Sequence, residues 1–529
     1  MKSTRIQLPL SSHPISFPER RRWTQRYEQL LRDQLGRALT HVRRSRPPET
    51  RPHLDSLLML LHRARRWRAL HPLAVDLIVA LHPWPLRWLR WESWEREIRF
   101  AIRACAIQNR SGQEAEFLGH LANVLFNSGR LDEALDAAQE ALRLARAHGA
   151  VAPLAIAGSV VVPILLQQGR ASEARRRLNE LLLDVSRAEA VASRERTEAL
   201  ARLRLQQLSF LRRDNRLDDA LIQASRTLTQ LEDLPGVNEH LVAESYRERS
   251  TMAWAAGRYP EAVRDIKRAI QMFVEQGDEF AEISAWGNLG LIYYSMTEFD
   301  LAEEGIRRVI ALAERLNARH HLTYAVDYLG AVYLMRGQLG RATSYFDRAV
   351  DLARSSGAFK DLCRIRSNRA VVRLYKGDYA EAIPDLEADL RFSEEQQLSG
   401  AVLMDCICLS LCYLEIEQRD RALRLAERSI KIANTQENAI FQTLALRCLA
   451  EHRPEKRLDL LHCALDLARQ NQRPLDEAGC LLSLVGLTGC RHERAKLWGR
   501  GVQILEEIGA TGWLAGASPD APPRVIILM

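Results

Sequence analysis

Apolar residues along most of the chain recur at the three-and-four spacing of helices, and that pattern itself repeats every 40 residues. Ala262, Ala302, Ala342, Ala382 and Ala422 mark the repeat. Four positions later stand Ile266, Ile306, Phe346, Leu386 and Ala426, on the same helical face as the alanines. Three positions before each alanine stand Tyr259, Phe299, Leu339, Tyr379 and Arg419, and two further back Gly257, Thr297, Gly337, Gly377 and Glu417. The spacing predicts a helix that opens near the aromatic or aliphatic residue. A turn with positive φ precedes it at the glycine register, and a small alanine lets a neighbouring helix approach.

The helix before each turn carries its own pattern, Trp286, Leu289, Gly290 and Tyr293 in one unit and Leu329, Gly330 and Tyr333 in the next. Upstream, the registers recur at Gly129, Leu131, Ala134, Ala138 and Ala141, at Gly169, Ala171, Ala174 and Leu178, and at Leu217, Ala220 and Ala224. Downstream, Leu449 to Leu465 reads as a compressed unit around Arg453-Pro454, and Leu481 to Val502 as a last one. About ten helix pairs are expected, more than the three or so a stacked array needs. Gly149 to Gly169 is uncharged and about the length of a membrane span, but Pro153 and Pro163 interrupt it and it falls in phase with the repeat. A buried helix of the array is expected there, and no membrane association.

The W-x-x-L-G-x-x-Y pattern at 286–293, with the alanine and large residue that follow, resembles the tetratricopeptide repeat (TPR). That resemblance implies an all-α, right-handed superhelical solenoid. Its usual unit is about 34 residues, so a 40-residue period implies helices longer by about a turn between them. The expected layout is a helical head over residues 1–110, a solenoid over 111–515 and an irregular tail over 516–529, whose last residues, 525–529, are apolar. Within the head, residues 1–17 read as extended, and helices are expected at 19–42, 54–70, 72–82 and 86–108. A Pro/Arg linker covers 43–53. Trp84, Trp88, Trp91 and Trp94 recur at spacings that put them along one helical face, either as core or as an exposed docking surface.

Charge divides the chain unevenly. The net charge is +8 overall, yet residues 1–110 hold 22 Lys/Arg against 9 Asp/Glu, a balance of +13, which leaves −5 for the remainder. The run from Leu54 through Trp67, Ala80, Trp88 and Trp94 to Ala104 leads straight into the repeats. The array ends on Glu493-Arg494-Ala495, Leu497-Trp498 and Glu507-Ile508-Gly509. Both stretches resemble the helical and TPR sensor region of bacterial STAND-class signal-transduction ATPases, including the large LuxR-type regulators. No G-x-x-x-x-G-K-[ST] occurs, so the resemblance implies the sensor part without the ATPase module and no nucleotide cofactor.

Candidate chemistry is sparse. Cys406, Cys408 and Cys412 lie in an apolar helical run without a neighbouring histidine, and His320-His321 has no cysteine or carboxylate beside it; neither is expected to hold a metal. Nine cysteines, an odd number, suit a reducing, cytoplasmic setting. No G-x-S-x-G or H-E-x-x-H occurs, so the chain is not expected to be an enzyme. Carrying over the repeat family's inward positions places Arg247, Trp254, Asn288, Tyr294, Tyr324, Asp327, Arg364, Asn368 and Tyr375 on a concave groove. Aromatics there supply area and amides fix orientation. The expected role is a scaffold, adaptor or sensor that captures a protein or peptide carrying an acidic group. On the head, Arg63, Arg65 and Arg66 around Trp67, with Trp88 and Trp91, form a second candidate docking surface. The alternative is a nucleic-acid-associated transcriptional or defence regulator that uses this basic head, with the repeats as ligand sensor. The pattern leaves the oligomeric state open.

Overall fold

The computed structural model describes residues 17–45, 47–82, 84–88, 91–188, 191–356, 359–395, 398–436 and 438–523. The expected extended start and the apolar end of the tail lie outside the described residues. The chain divides into two compact units, Met1–Glu282 and Ile283–Met529.

The first unit opens with α1 (Phe17–Arg44), α2 (Pro47–Thr50), α3 (Leu54–Ala64), α4 (His71–Leu81), α5 (Trp84–Arg87) and α6 (Trp91–Ile107). Four antiparallel pairs follow: α7 (Ser111–Asn127) with α8 (Leu131–His148), α9 (Val151–Gln167) with α10 (Ala171–Ser186), α11 (Ser193–Arg213) with α12 (Leu217–Glu232), and α13 (Glu239–Ala255) with α14 (Tyr259–Glu275). α15 (Glu279–Ser295) carries the division between the units and pairs with α16 (Phe299–Arg315). The second unit continues with α17 (Arg319–Met335) and α18 (Leu339–Ser356), α19 (Phe359–Lys376) and α20 (Tyr379–Glu395), and α21 (Ser399–Glu415) and α22 (Arg419–Gln436). It finishes with α23 (Ala439–His452) and α24 (Arg457–Gln470), then α25 (Pro474–Val485) and α26 (Arg491–Glu507). The chain is an all-α repeat solenoid, with ten such pairs among the described residues.

The 40-residue register explains the pairs. Tyr259, Phe299, Leu339, Tyr379 and Arg419 are each the first residue of a second helix. All five register alanines are completely buried. The turn residues Gly257, Gly337 and Gly377 have φ of 71°, 74° and 84°, and Thr297 and Glu417 adopt the same left-handed turn at 59° and 62°. Without glycine that conformation costs roughly 1–2 kcal/mol each. Gly290 and Gly330 sit where the partner helix comes closest. A Cβ at Gly290 would meet Ile306 Cγ1 at 2.9 Å, and one at Gly330 would meet the Phe346 ring at 2.8 Å. Ala342 lies one helical turn before Phe346 on this seam. Replacing Ala342 with leucine should overpack the seam and cost about 1–3 kcal/mol. A thermal melt checks it, and an unchanged Tm would contradict the register.

α9 occupies the uncharged stretch, framed by left-handed Gly149 and Gly169. Most of it is buried between its neighbours in the array, which is where its apolar character is used. Among the described residues no helix is long and apolar enough to cross a membrane.

The expected head boundary at residue 110 falls inside the first unit, where one apolar core runs from Leu31 through Ile98 and Cys105 to Phe210. The helix expected over 54–70 stops at Ala64. Trp67 turns extended, at φ −117° and ψ 102°, and its ring sits 6.0 Å from that of Tyr27 while Leu70 becomes fully buried. The helix expected over 86–108 is divided into α5 and α6, with residues 89 and 90 outside the described ones.

Candidate functional site

First helices of successive pairs touch one another in each unit: α7 with α9, α9 with α11 and α11 with α13 in the first, α17 with α19, α19 with α21 and α21 with α23 in the second. This row of first helices carries the residues expected to line a groove.

In the second unit the row is tied by a polar ladder. Asp327 on α17 is fully buried. The Arg364 guanidinium of α19 donates to its Oδ2, and Asn368 Nδ2 donates to its Oδ1 at 3.0 Å. Ser367 Oγ donates to Asp405 Oδ1 on α21 at 2.7 Å. Arg364 also lies 5.5 Å from the centre of the Tyr324 ring and 5.4 Å from that of Tyr328, and the two rings are 4.4 Å apart. Tyr324 and Tyr328 are half-buried, and burial pushes the Tyr324 phenol well above its ordinary range, with Tyr328 beside it. Tyr294 and Asn288 are half-buried on α15. The Tyr294 phenol is likewise pushed up by burial, with Arg473 and Asp476 from the last helix pairs among its neighbours.

Tyr375 meets the end of the chain. Beyond α26 a single 3-10 turn, Thr511–Leu514, brings Trp513 to within 4.8 Å of the Tyr375 ring. Trp513 Nε1 donates to the Met335 carbonyl at 2.9 Å, and the Gly512 amide donates to the Arg336 carbonyl at 3.0 Å. A side chain at residue 512 would collide with that Arg336 carbonyl. The turn that follows the last pair of the second unit therefore packs onto the turn between α17 and α18.

The first unit closes in a similar way. Trp88 is 5% exposed, and its Nε1 donates to the Gly277 carbonyl at 3.2 Å. Arg87 pairs with Asp278 at 3.2 Å, Arg51 with Glu279 at 2.7 Å, and the Trp91 ring packs 5.2 Å from Phe280. Trp94 is fully buried and donates to His82 Nδ1 at 3.1 Å. Trp84 lies 6.4 Å from Trp88, and none of the four tryptophans is exposed. Arg247 on α13 is held between Glu244 at 2.6 Å and Glu248 at 2.7 Å. Burial pushes the Glu244 carboxyl up, but Arg247, His240 and Arg202 outweigh it and hold the group below its ordinary range. Trp254 is half-buried at the far end of α13. Of the other head residues, Arg65 pairs with Glu97 at 3.2 Å and lies over Phe100, while exposed Arg63 reaches Met59 Sδ at 3.5 Å.

A buried acidic pair that the sequence reading missed lies behind α19. Asp389 pairs with Arg366 at 2.5 Å, and Asp405 accepts from Ser367 and, at 3.4 Å, from Ser393. Burial pushes Asp405 up to about 7, against the Ser367 hydrogen bond, and Asp389 up to about 6, against Arg366. Both folded values exceed the ordinary carboxylate value of about 4. The folded state therefore holds more protons between those limits. The stability these groups contribute is fully present below about pH 4 and is lost as pH rises towards 7. Asp405→Asn should flatten the fall in Tm between pH 4.5 and 8. Parallel Tm profiles for the wild type and the variant would contradict this.

The cysteines of α21 are buried, and burial raises Cys406 to about 11 and Cys412 to about 12, far from a reactive thiolate. Burial lowers His321 to about 4, with His320 contributing. Among the described residues no three His, Cys, Asp or Glu side chains converge as a metal site.

Comparison with known proteins agrees with this architecture. Tetratricopeptide repeat models match residues 115–148, the α7–α8 pair, and 283–315, the α15–α16 pair. The Tonsoku-like protein of Drosophila melanogaster is 24% identical over an aligned length of 224, covering 38% of this chain and 16% of that protein. The chain thus spans a small part of that relative. Two solved structures share the fold. A Rap protein complexed with Competence and Sporulation Factor has a TM-score of 0.52 at 16% identity, over 68% of this chain and 99% of that one. A STAND protein with a tetratricopeptide repeat sensor from Pyrococcus horikoshii has a TM-score of 0.51 at 13% identity, over 70% of this chain and 54% of that one. With two helix pairs matched as tetratricopeptide repeats and the rest built on the same alternation, the chain is an all-helical repeat protein carrying tetratricopeptide units, similar in fold to the repeat sensor of a STAND protein.

Proposed function

We propose that the chain is a non-enzymatic, cytoplasmic binding scaffold that holds a segment of a partner protein or peptide against the inner row of first helices. The principal contacts are assigned to the second unit, around Tyr324, Tyr328 and Arg364. The observation that carries this reading is the cluster itself. Two half-buried phenol rings flank a guanidinium whose side chain is 37% exposed, anchored from behind by a fully buried carboxylate. Rigid aromatic area beside a fixed cation suits a peptide carrying an acidic group. In this reading Asp327 and Asn368 position Arg364, Asn288 and Tyr294 extend the surface along α15, and Tyr375 ends it against Trp513. Arg247 and Trp254 are assigned to a separate surface on the first unit. The Rap protein complex, solved with a bound factor on a similar fold, supports a binding role.

Selection from a displayed random-peptide library tests it. The selected peptides should carry an Asp or Glu. Tyr324→Ala with Tyr328→Ala should weaken their binding at least tenfold, about 1.4 kcal/mol, while leaving the helical circular-dichroism signal in place. Peptides that bind the variant as tightly as the wild type would contradict the assignment.

A further inference from the structure

The turn that ends α3 has a consequence on the opposite side of the head. It brings His62, Arg65, Arg66 and His71 to face α6, where Arg96 and Arg103 lie seven residues apart on the helix. Between them opens a pocket of about 570 Å³, floored by Phe100 and Ala104. His71 Nε2 lies 3.0 Å from the Arg65 carbonyl, and its ring packs edge-on against Phe100, 5.1 Å away, so the wall of the turn is fixed.

Four guanidiniums line this pocket and no carboxylate does. Glu97, 3% exposed, pairs with Arg65 at 3.2 Å, and the Arg96 charge also acts on it. Arg66, Arg96 and Arg103 are exposed, and their side chains make no ion pair or hydrogen bond among the described residues. Arg99, on the same helix but not lining the pocket, pairs with Glu95 at 2.8 Å. Three guanidiniums without an ion pair thus face one concavity. Holding like charges together is unfavourable until an anion sits among them.

We propose that this pocket binds a phosphate-bearing anion, either a free polyphosphate or phosphate ester, or the phosphates of a nucleic-acid strand. Guanidinium forks match phosphoryl oxygens in pairs, and four of them offer more donors than one carboxylate can accept. The volume lies within the range of small-ligand sites, and the apolar floor leaves room for an organic group beside the phosphates. The site lies in the first unit and owes nothing to a glycine-rich phosphate loop, nor to the peptide-binding surface proposed on the second.

The test uses the full chain and two probes without added metal, inorganic tripolyphosphate by calorimetry and a fluorescein-labelled single-stranded oligonucleotide by anisotropy. The variant is Arg96→Ala with Arg103→Ala, both exposed, with folding checked by circular dichroism. A second variant, Arg37→Ala with Arg44→Ala, alters the basic surface of α1 outside the pocket. At least one probe should bind, with affinity falling steeply as salt is added. The pocket variant should weaken it at least tenfold while the α1 variant leaves it within twofold. Binding of tripolyphosphate assigns a free phosphate ligand; binding of the oligonucleotide alone assigns a strand. Absence of binding by both probes, survival of binding in the pocket variant, or equal loss in both variants would overturn the proposal.

Discussion

Replacing Arg364 and Asn368 together with alanine is expected to destabilise the second unit by about 3–5 kcal/mol, the usual consequence of leaving a buried charge without its partner. Asp327 is completely buried, and these two side chains satisfy one carboxylate oxygen each. With both removed, the carboxylate keeps its desolvation cost and loses those donors. Adding Asp327→Leu to the double variant should recover most of the loss, because no charge is then buried. Thermal and urea melts followed by circular dichroism check the order: wild type most stable, triple variant intermediate, double variant least stable. A double variant as stable as the wild type would show that Asp327 does not depend on these bonds. The same reasoning makes this pair a poor probe of partner binding and favours Tyr324 and Tyr328, whose removal strands no charge.

Trp513→Ala should be nearly as costly, about 3–5 kcal/mol, as for other large buried aromatics. The residue is 7% exposed, rests on Tyr375, and donates to a carbonyl at the turn between α17 and α18. Its loss removes the apolar contact, opens a cavity and leaves the Met335 carbonyl without its donor. Trp513→Phe keeps most of the ring area and should lose only the hydrogen-bond contribution, about 0.5–1.5 kcal/mol. Comparing the two melts separates a packed clasp from a polar latch. Equal stability of Trp513→Ala and the wild type would mean that the end of the chain does not hold the unit closed in solution.

The repeat architecture was legible because its determinants are local and periodic. Buried alanines, turn residues with positive φ and buried apolar residues four positions later recur at fixed spacing, and each is used as its register implies. The compressed unit around Arg453-Pro454 was readable for the same reason: α23 and α24 are 14 residues each, and the proline falls in the turn between them. Long-range closure was not readable. Trp88 meets Gly277 across 189 residues and Trp513 meets Met335 across 178, and no periodicity records either contact. The positions taken from the repeat pattern all lie on first helices of pairs, but pattern alone does not separate a side chain that faces solvent from one spent on its neighbour. Asp327 and Asn368 are of the second kind. Tyr328 escaped notice although it stands one turn after Tyr324 on the same face, a spacing that could have found it. The pocket on the head needed the turn at Arg65–Trp67. A continuous helix over 54–70 would not have brought Arg66 opposite Arg96.

Hydrogen–deuterium exchange of the intact protein, with and without a peptide selected as described above, tests the binding role and its placement together. Protection on binding should be greatest over residues 319–335 and 359–376, with slower exchange at 279–295, and should vanish in the Tyr324→Ala/Tyr328→Ala variant. Protection confined to residues 54–107, with 319–335 and 359–376 unchanged, would contradict a partner surface on the inner row of the second unit and move the function to the basic head.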